Sequence, residues 1–159
     1  MLDNESHPIP PTQQLSGTAL TTLQPSLRRA KLVLGDFANT VGSFIVTHRP
    51  APIAFVSVDA DYYSSAGAAL QLFDADSQAF LPRVLCYFDD ILGTNSYVGE
   101  LLAIDEFNAA HKAVKIAPIH GLTLTRRVPA FWNAGMHVLY FFEHRDYNRH
   151  TGDVPHFAG

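Results

Sequence analysis

Apolar runs of strand length recur along this chain, at Lys31–Leu34, Ile53–Val58, Val84–Phe88, Val114–Ile119 and His137–Phe142, and helix-period segments lie between them. The runs are continuously apolar rather than alternating, the mark of strands covered on both faces, and this predicts a parallel α/β sheet. In "SSAGAALQLF" the residues Ala66, Ala69, Leu70 and Phe73 repeat at i, i+3, i+4 and i+7, which predicts a helix with Ser64 or Ser65 as its N-cap. A second helix is predicted in "SYVGELLAIDEFNAAHKA", with Ser96 as cap and Val98, Leu101 and Leu102 on its inner face. Asp105 falls on that apolar side and would need a buried partner.

Outside these segments the pattern breaks down. Residues 1–26 carry Pro8, Pro10, Pro11 and Pro25 among polar residues and predict a flexible leader. The folded part is expected over 27–143, and the segment 144–159 predicts a frayed tail in which His144, His150 and His156 are solvated. His120 and His137 flank the last two strands, where loop or edge positions are expected, and Trp132 is expected to pack the loop between them. A chain of 159 residues with 47% hydrophobic content has the length of one domain with a real core. It contains no apolar run of membrane-spanning length and no signal-peptide pattern near Met1, so a cytoplasmic location and no membrane partner are expected. The net charge of -4, with scattered Lys and Arg, argues against nucleic acid as a partner. Cys86, the one cysteine, lies inside an apolar run and is expected to fill space there.

In an open α/β sheet, ligands bind beyond the carboxyl ends of the strands, so the residues that follow each run are the informative ones. They are acidic three times: Asp36 after "KLVLG", Asp59 and Asp61 after "IAFVSV", and Asp89–Asp90 after "VLCYF". Each aspartate by itself reads most simply as a helix cap or a loop acceptor. Neighbouring strands that deliver Asp59 and Asp89–Asp90 to one edge would gather carboxylates that repel unless a cation or protons compensate. Such all-oxygen donors suit magnesium, manganese or calcium rather than zinc.

These residues resemble the metal-dependent sugar O-methyltransferases of the macrocin O-methyltransferase type, which are class I S-adenosylmethionine-dependent methyltransferases. The resemblance covers roughly residues 27–143. It rests on "VDADYYSS", on "YFDDI" thirty residues later, on the following glycine-containing loop and helix with "AIDEF", and more weakly on "LVLGDFANTVGSFI". It implies a Rossmann-like sheet, S-adenosylmethionine as cofactor, Mg2+ or Mn2+ held by Asp59, Asp89 and Asp90, and Asp61 as general base. It further implies that Gly35, Asp36 and Phe37 touch the adenine side of the cofactor. Tyr62 and Tyr63 either line the pocket of a small hydroxylated acceptor, such as a sugar, or pack under a helix.

The glycine-rich turn and second-strand acidic residue that such enzymes use for their cofactor have no counterpart here, since only Gly17 precedes Gly35 and no apolar strand precedes Lys31. The sheet is therefore expected to be incomplete, starting at its third strand and lacking the first two. Such a chain is expected to be inactive alone and to self-associate through an exposed sheet edge. Two rival readings are a nucleotide-sugar glycosyltransferase-like domain, for which Asp-x-Asp after a strand binds manganese and diphosphate, and a non-catalytic remnant that binds a partner. "FDD" one strand over speaks against the glycosyltransferase.

Overall fold

The computed structural model describes residues 30–149. Contacts divide the chain between Leu34 and Gly35, and the fold that follows is that of the segment from Gly35 onward. It begins with two short helices, α1 (Phe37–Thr40) and α2 (Phe44–His48), and enters strand β1 (Ile53–Val58). Helix α3 (Tyr63–Leu70) and two 3₁₀ turns lead to β2 (Phe80–Phe88), and α4 (Gly99–Ala110) leads to β3 (Val114–Pro118). A short α5 (Leu122–Thr125) and a 3₁₀ turn over Phe131–Gly135 precede β4 (Met136–Phe141).

Four of the five expected strands form. Lys31–Leu34 does not: it has no regular structure, so the strand expected there is corrected. The sheet order is β1-β2-β4-β3, with β1 and β2 parallel and β4 antiparallel to both β2 and β3. The expectation of a parallel sheet thus holds for one pair, and the sheet is mixed. Continuous apolar runs misled because burial within them alternates. In β2, Val84, Cys86 and Phe88 are buried, whereas Leu81 and Leu85 on the opposite face are exposed.

The helices cover one face of the sheet. Ala66 and Leu70 of α3 and Ala103, Ile104 and Phe107 of α4 share one cluster with Val58, Val84, Cys86, Phe88, Ile116, Leu139 and Phe141. Aromatic rings dominate it, with Phe80 stacked on Phe141 at 4.8 Å and Phe73 tilted against Phe80 and edge-on to Phe107. Each fully buried ring contributes about 1.5–3 kcal/mol, so this cluster anchors the strands that carry the acidic residues. On the other face the register aligns Phe55, Leu85, Val138 and Ala117 in one row, with Phe55 and Leu85 exposed.

The helix details differ from the sequence reading. Ser64 and Ser65 lie inside α3, whose N-cap is Tyr62, and Val98 rather than Ser96 precedes α4; neither cap residue makes a side-chain capping bond. The buried stripe of α4 is Glu100, Ala103, Ile104 and Phe107 rather than Val98, Leu101 and Leu102, and Asp105 is exposed. His137 and His144 are buried, the latter accepting the Asp146 N–H at 3.0 Å, which corrects the expected solvation of His144. His120 is exposed, Trp132 is half-exposed under the Arg126 guanidinium, and Cys86 is fully buried. The expected leader over 1–26, and His150 and His156, lie outside the described residues. Among the described residues no helix is long and apolar enough to cross a membrane.

Candidate metal centre

β1 and β2 run side by side in the same direction, so their carboxyl ends reach the same edge of the sheet. The ladder continues one bond past the strands, where the Asp89 N–H donates to the Val58 carbonyl at 3.1 Å. This bond places Asp89 beside the residue that follows Val58, which is Asp59. Carboxylate oxygens of Asp59, Asp89 and Asp90, one from each, all lie within 4.8 Å of one another. Asp59 and Asp89 are exposed and Asp90 is half-buried.

At that separation two full negative charges repel by about 1 kcal/mol in water and about 3 kcal/mol at the effective dielectric of a protein surface. The consequence is visible at Asp90, whose carboxyl is held above the usual carboxylate range by desolvation and by the charges of Asp61, Asp59 and Asp89, against a lowering by the Ala60 amide. Asp61 is exposed on the same edge, near enough to act on Asp90 yet outside the three-carboxylate set. Tyr87 donates its hydroxyl to Asp89 Oδ1, and this bond pushes the Tyr87 phenol up.

Beneath the three aspartates stands a residue that the sequence reading passed over. Glu100, at the start of α4, is 1% exposed, and its Oε2 accepts the Asp90 N–H at 3.0 Å. Burial pushes the Glu100 carboxyl up to about 7, opposed by the Asp90 N–H. Glu100 Oε1 and Asp90 Oδ2 are both buried without a hydrogen-bond partner. The signal that could have found Glu100 is phase: it begins the i, i+3, i+4, i+7 stripe completed by Ala103, Ile104 and Phe107.

The residues expected to meet a cofactor stand at the start of the segment. Gly35 has φ +148, and a Cβ there would come within 2.6 Å of Thr40 Cγ2. The Asp36 carboxylate accepts the Ala38 N–H at 2.9 Å and so caps α1. Phe37 lines an apolar pocket of about 220 Å³ together with Val41, Phe44, Val58, Asp59 and Leu72. Tyr62 is exposed, while Tyr63 donates to Glu106 and borders a separate cleft of about 470 Å³ between α3 and α4. His111 also lines that cleft, bound through Nε2 to Asp74 at 2.8 Å and through Nδ1 to the Phe107 carbonyl.

The donor set suits a hard divalent cation. Three carboxylates, two buried oxygens without a partner in hydrogen-bonding geometry and, among the described residues, no cationic side chain in the leading groups that act on Asp90 or Glu100 are chemically compatible with an oxygen-ligated divalent cation. No family model, curated protein or solved structure matches this chain.

Proposed function

We propose that this chain carries the cation and acceptor side of an O-methyl transfer, with Asp59, Asp89 and Asp90 as ligands to Mg2+ or Mn2+ and Asp61 as general base. The convergence of the three carboxylates at the ends of two adjacent parallel strands is the observation that carries the reading. The strand order adds support. The sheet of the resembled enzymes has seven strands in the order 3-2-1-4-5-7-6; if the described strands correspond to its last four, the order 4-5-7-6 is expected, and β1-β2-β4-β3 has that pattern.

When bound, the cation makes an attached hydroxyl more acidic and S-adenosylmethionine supplies the methyl group from its sulfonium. The protein's part is to hold and deprotonate the acceptor. Asp61, exposed beside the ligand set, takes the hydroxyl proton as the oxygen attacks. Tyr62, exposed on the same turn, offers a face for a sugar ring. Phe37 and the apolar pocket it shares with Asp59 suit a flat adenine ring, so the cofactor and the cation would approach one strand end from two sides. The Asp36 carboxylate is engaged with the amide of Ala38, which leaves Phe37 as the side chain of that loop free for contact with the ring.

Calorimetry and thermal unfolding with Mg2+, Mn2+, S-adenosylhomocysteine and a uridine diphosphate sugar test the reading. Mg2+ or Mn2+ should raise the melting temperature in proportion to the logarithm of concentration over affinity, and EDTA should reverse it. The double substitution Asp89→Asn with Asp90→Asn should abolish the response. Retention of the full response in that variant, or a response to the diphosphate sugar alone, would overturn the assignment.

A further inference from the structure

Glu100 is buried with one carboxylate oxygen on the Asp90 N–H and the other, Oε1, without a hydrogen-bond partner. A carboxylate at the N-terminal end of a helix gains about 0.3–1 kcal/mol from the helix dipole, and its bond to the Asp90 N–H adds a charge-assisted contact. Burying an acceptor oxygen with no donor costs about 1–3 kcal/mol, which offsets those gains. An alanine or leucine at position 100 would pack the same stripe of α4 without that cost. Seating α4 and holding the Asp90 N–H account for one carboxylate oxygen of Glu100 and leave Oε1 unaccounted for.

The surroundings indicate what the side chain faces. Its Oε2 holds the backbone of Asp90, and the charges of Asp90 and Asp59 act on its carboxyl. The Ala60 amide lies against both the Glu100 and the Asp90 carboxyls, so the two side chains converge on the turn that follows β1. Besides that shared amide, neither Glu100 Oε1 nor Asp90 Oδ2 has a partner in hydrogen-bonding geometry. Glu100 does not belong to the set of carboxylates within 4.8 Å of one another, which places it behind the ligands rather than among them.

We infer that Glu100 is a positioning residue of the cation centre: its Oε2 fixes the Asp90 backbone, and its Oε1 accepts a hydrogen bond from a water bound to the cation. The inference rests on the cation reading given above. Carboxylates and waters around a bound metal are themselves oriented by hydrogen bonds from an outer layer, and loss of such a partner typically weakens the metal by about 10–100-fold. Glutamine is the informative replacement, since its amide oxygen can still accept the Asp90 N–H while its NH2 would oppose the hydrogens of a cation-bound water.

The full chain is titrated with Mn2+ alone, and the free ion is read by its electron paramagnetic resonance signal; thermal unfolding in EDTA is measured alongside. Glu100→Gln should unfold in EDTA at or above the wild-type temperature and yet bind Mn2+ about 10–100-fold more weakly. Glu100→Asp, which keeps the charge but withdraws it by one methylene, should also lose affinity, and it decides the matter should Glu100→Gln fail to fold. Wild-type affinity in both variants, or in whichever of them folds, overturns the role of Glu100 alone, provided Asp89→Asn with Asp90→Asn still abolishes binding. Absence of Mn2+ binding in the wild type, or its persistence in the double aspartate variant, removes the cation reading and this inference with it.

Discussion

Gly135 presses its backbone against the end of β2: a Cβ at this position would stand 2.5 Å from the Phe88 carbonyl oxygen and 2.6 Å from the ring of Tyr87. The contact is to backbone, which cannot swing aside, and Phe88 immediately precedes Asp89. Overpacking of this kind costs about 1–3 kcal/mol. Gly135→Ala should therefore lower stability by about that amount and weaken Mn2+ binding. A variant that unfolds in denaturant at the wild-type midpoint would show that the strand end gives way freely.

Asp61 should be separable from its neighbours. Because it stands outside the set of close carboxylates, Asp61→Asn should weaken Mn2+ binding by less than about 10-fold, the order of the ~1 kcal/mol that one charge about 8 Å from a divalent cation exerts in water, and should not abolish it. In an enzyme reconstituted to transfer methyl groups, the same change should lower turnover by about 10²–10⁴-fold. Full turnover in the variant would remove Asp61 from the mechanism.

Glu100 predicts a pH dependence in the metal-free protein. Its folded carboxyl titrates at about 7, above its ordinary 4.5, so between those values the folded state binds more protons than the unfolded one. Stability from this group is complete below about 4.5 and is lost as pH rises toward 7, by at most about 1.4 kcal/mol per pH unit. Measured in EDTA, the wild type should lose stability across that window relative to Glu100→Gln. Parallel profiles for the two proteins would contradict the raised titration.

Cys86 is fully buried, and desolvation pushes its thiol up to about 12. It should resist a thiol reagent at pH 8 in the native protein and react only as fast as the chain unfolds. Rapid labelling without denaturant would mean that β2 is not covered as described.

What the sequence disclosed about this fold divides along physical lines. Ile53–Val58 was read to the residue because Pro52 and the aspartates bound it on either side, and Cys86 was read correctly because an apolar run surrounded it. The direction of β4 was not readable. A strand inserted between β2 and β3 is as apolar as one beside them, and orientation depends on the path of the 119–135 connection rather than on composition. The stripe of α4 was misphased for a related reason. The apolar residues Val98, Leu101 and Leu102 suggest one face, whereas the buried stripe begins at Glu100, a residue type ordinarily turned outward. The three ligand candidates were legible because strand ends in an open sheet have a known geometry, whereas a residue acting from behind them leaves no spacing to read.

Asp59 and Asp89 end strands that touch in space but are separated along the chain by α3 and two 3₁₀ turns. An ion held between them is a reversible tie across the β1–β2 pair, and its effect on kinetics depends on when that pair forms. If the strands have already met at the folding barrier, the ion speeds refolding; if they meet later, it only slows unfolding. A cation bound there would thus time the closure of this crossover without altering a single residue.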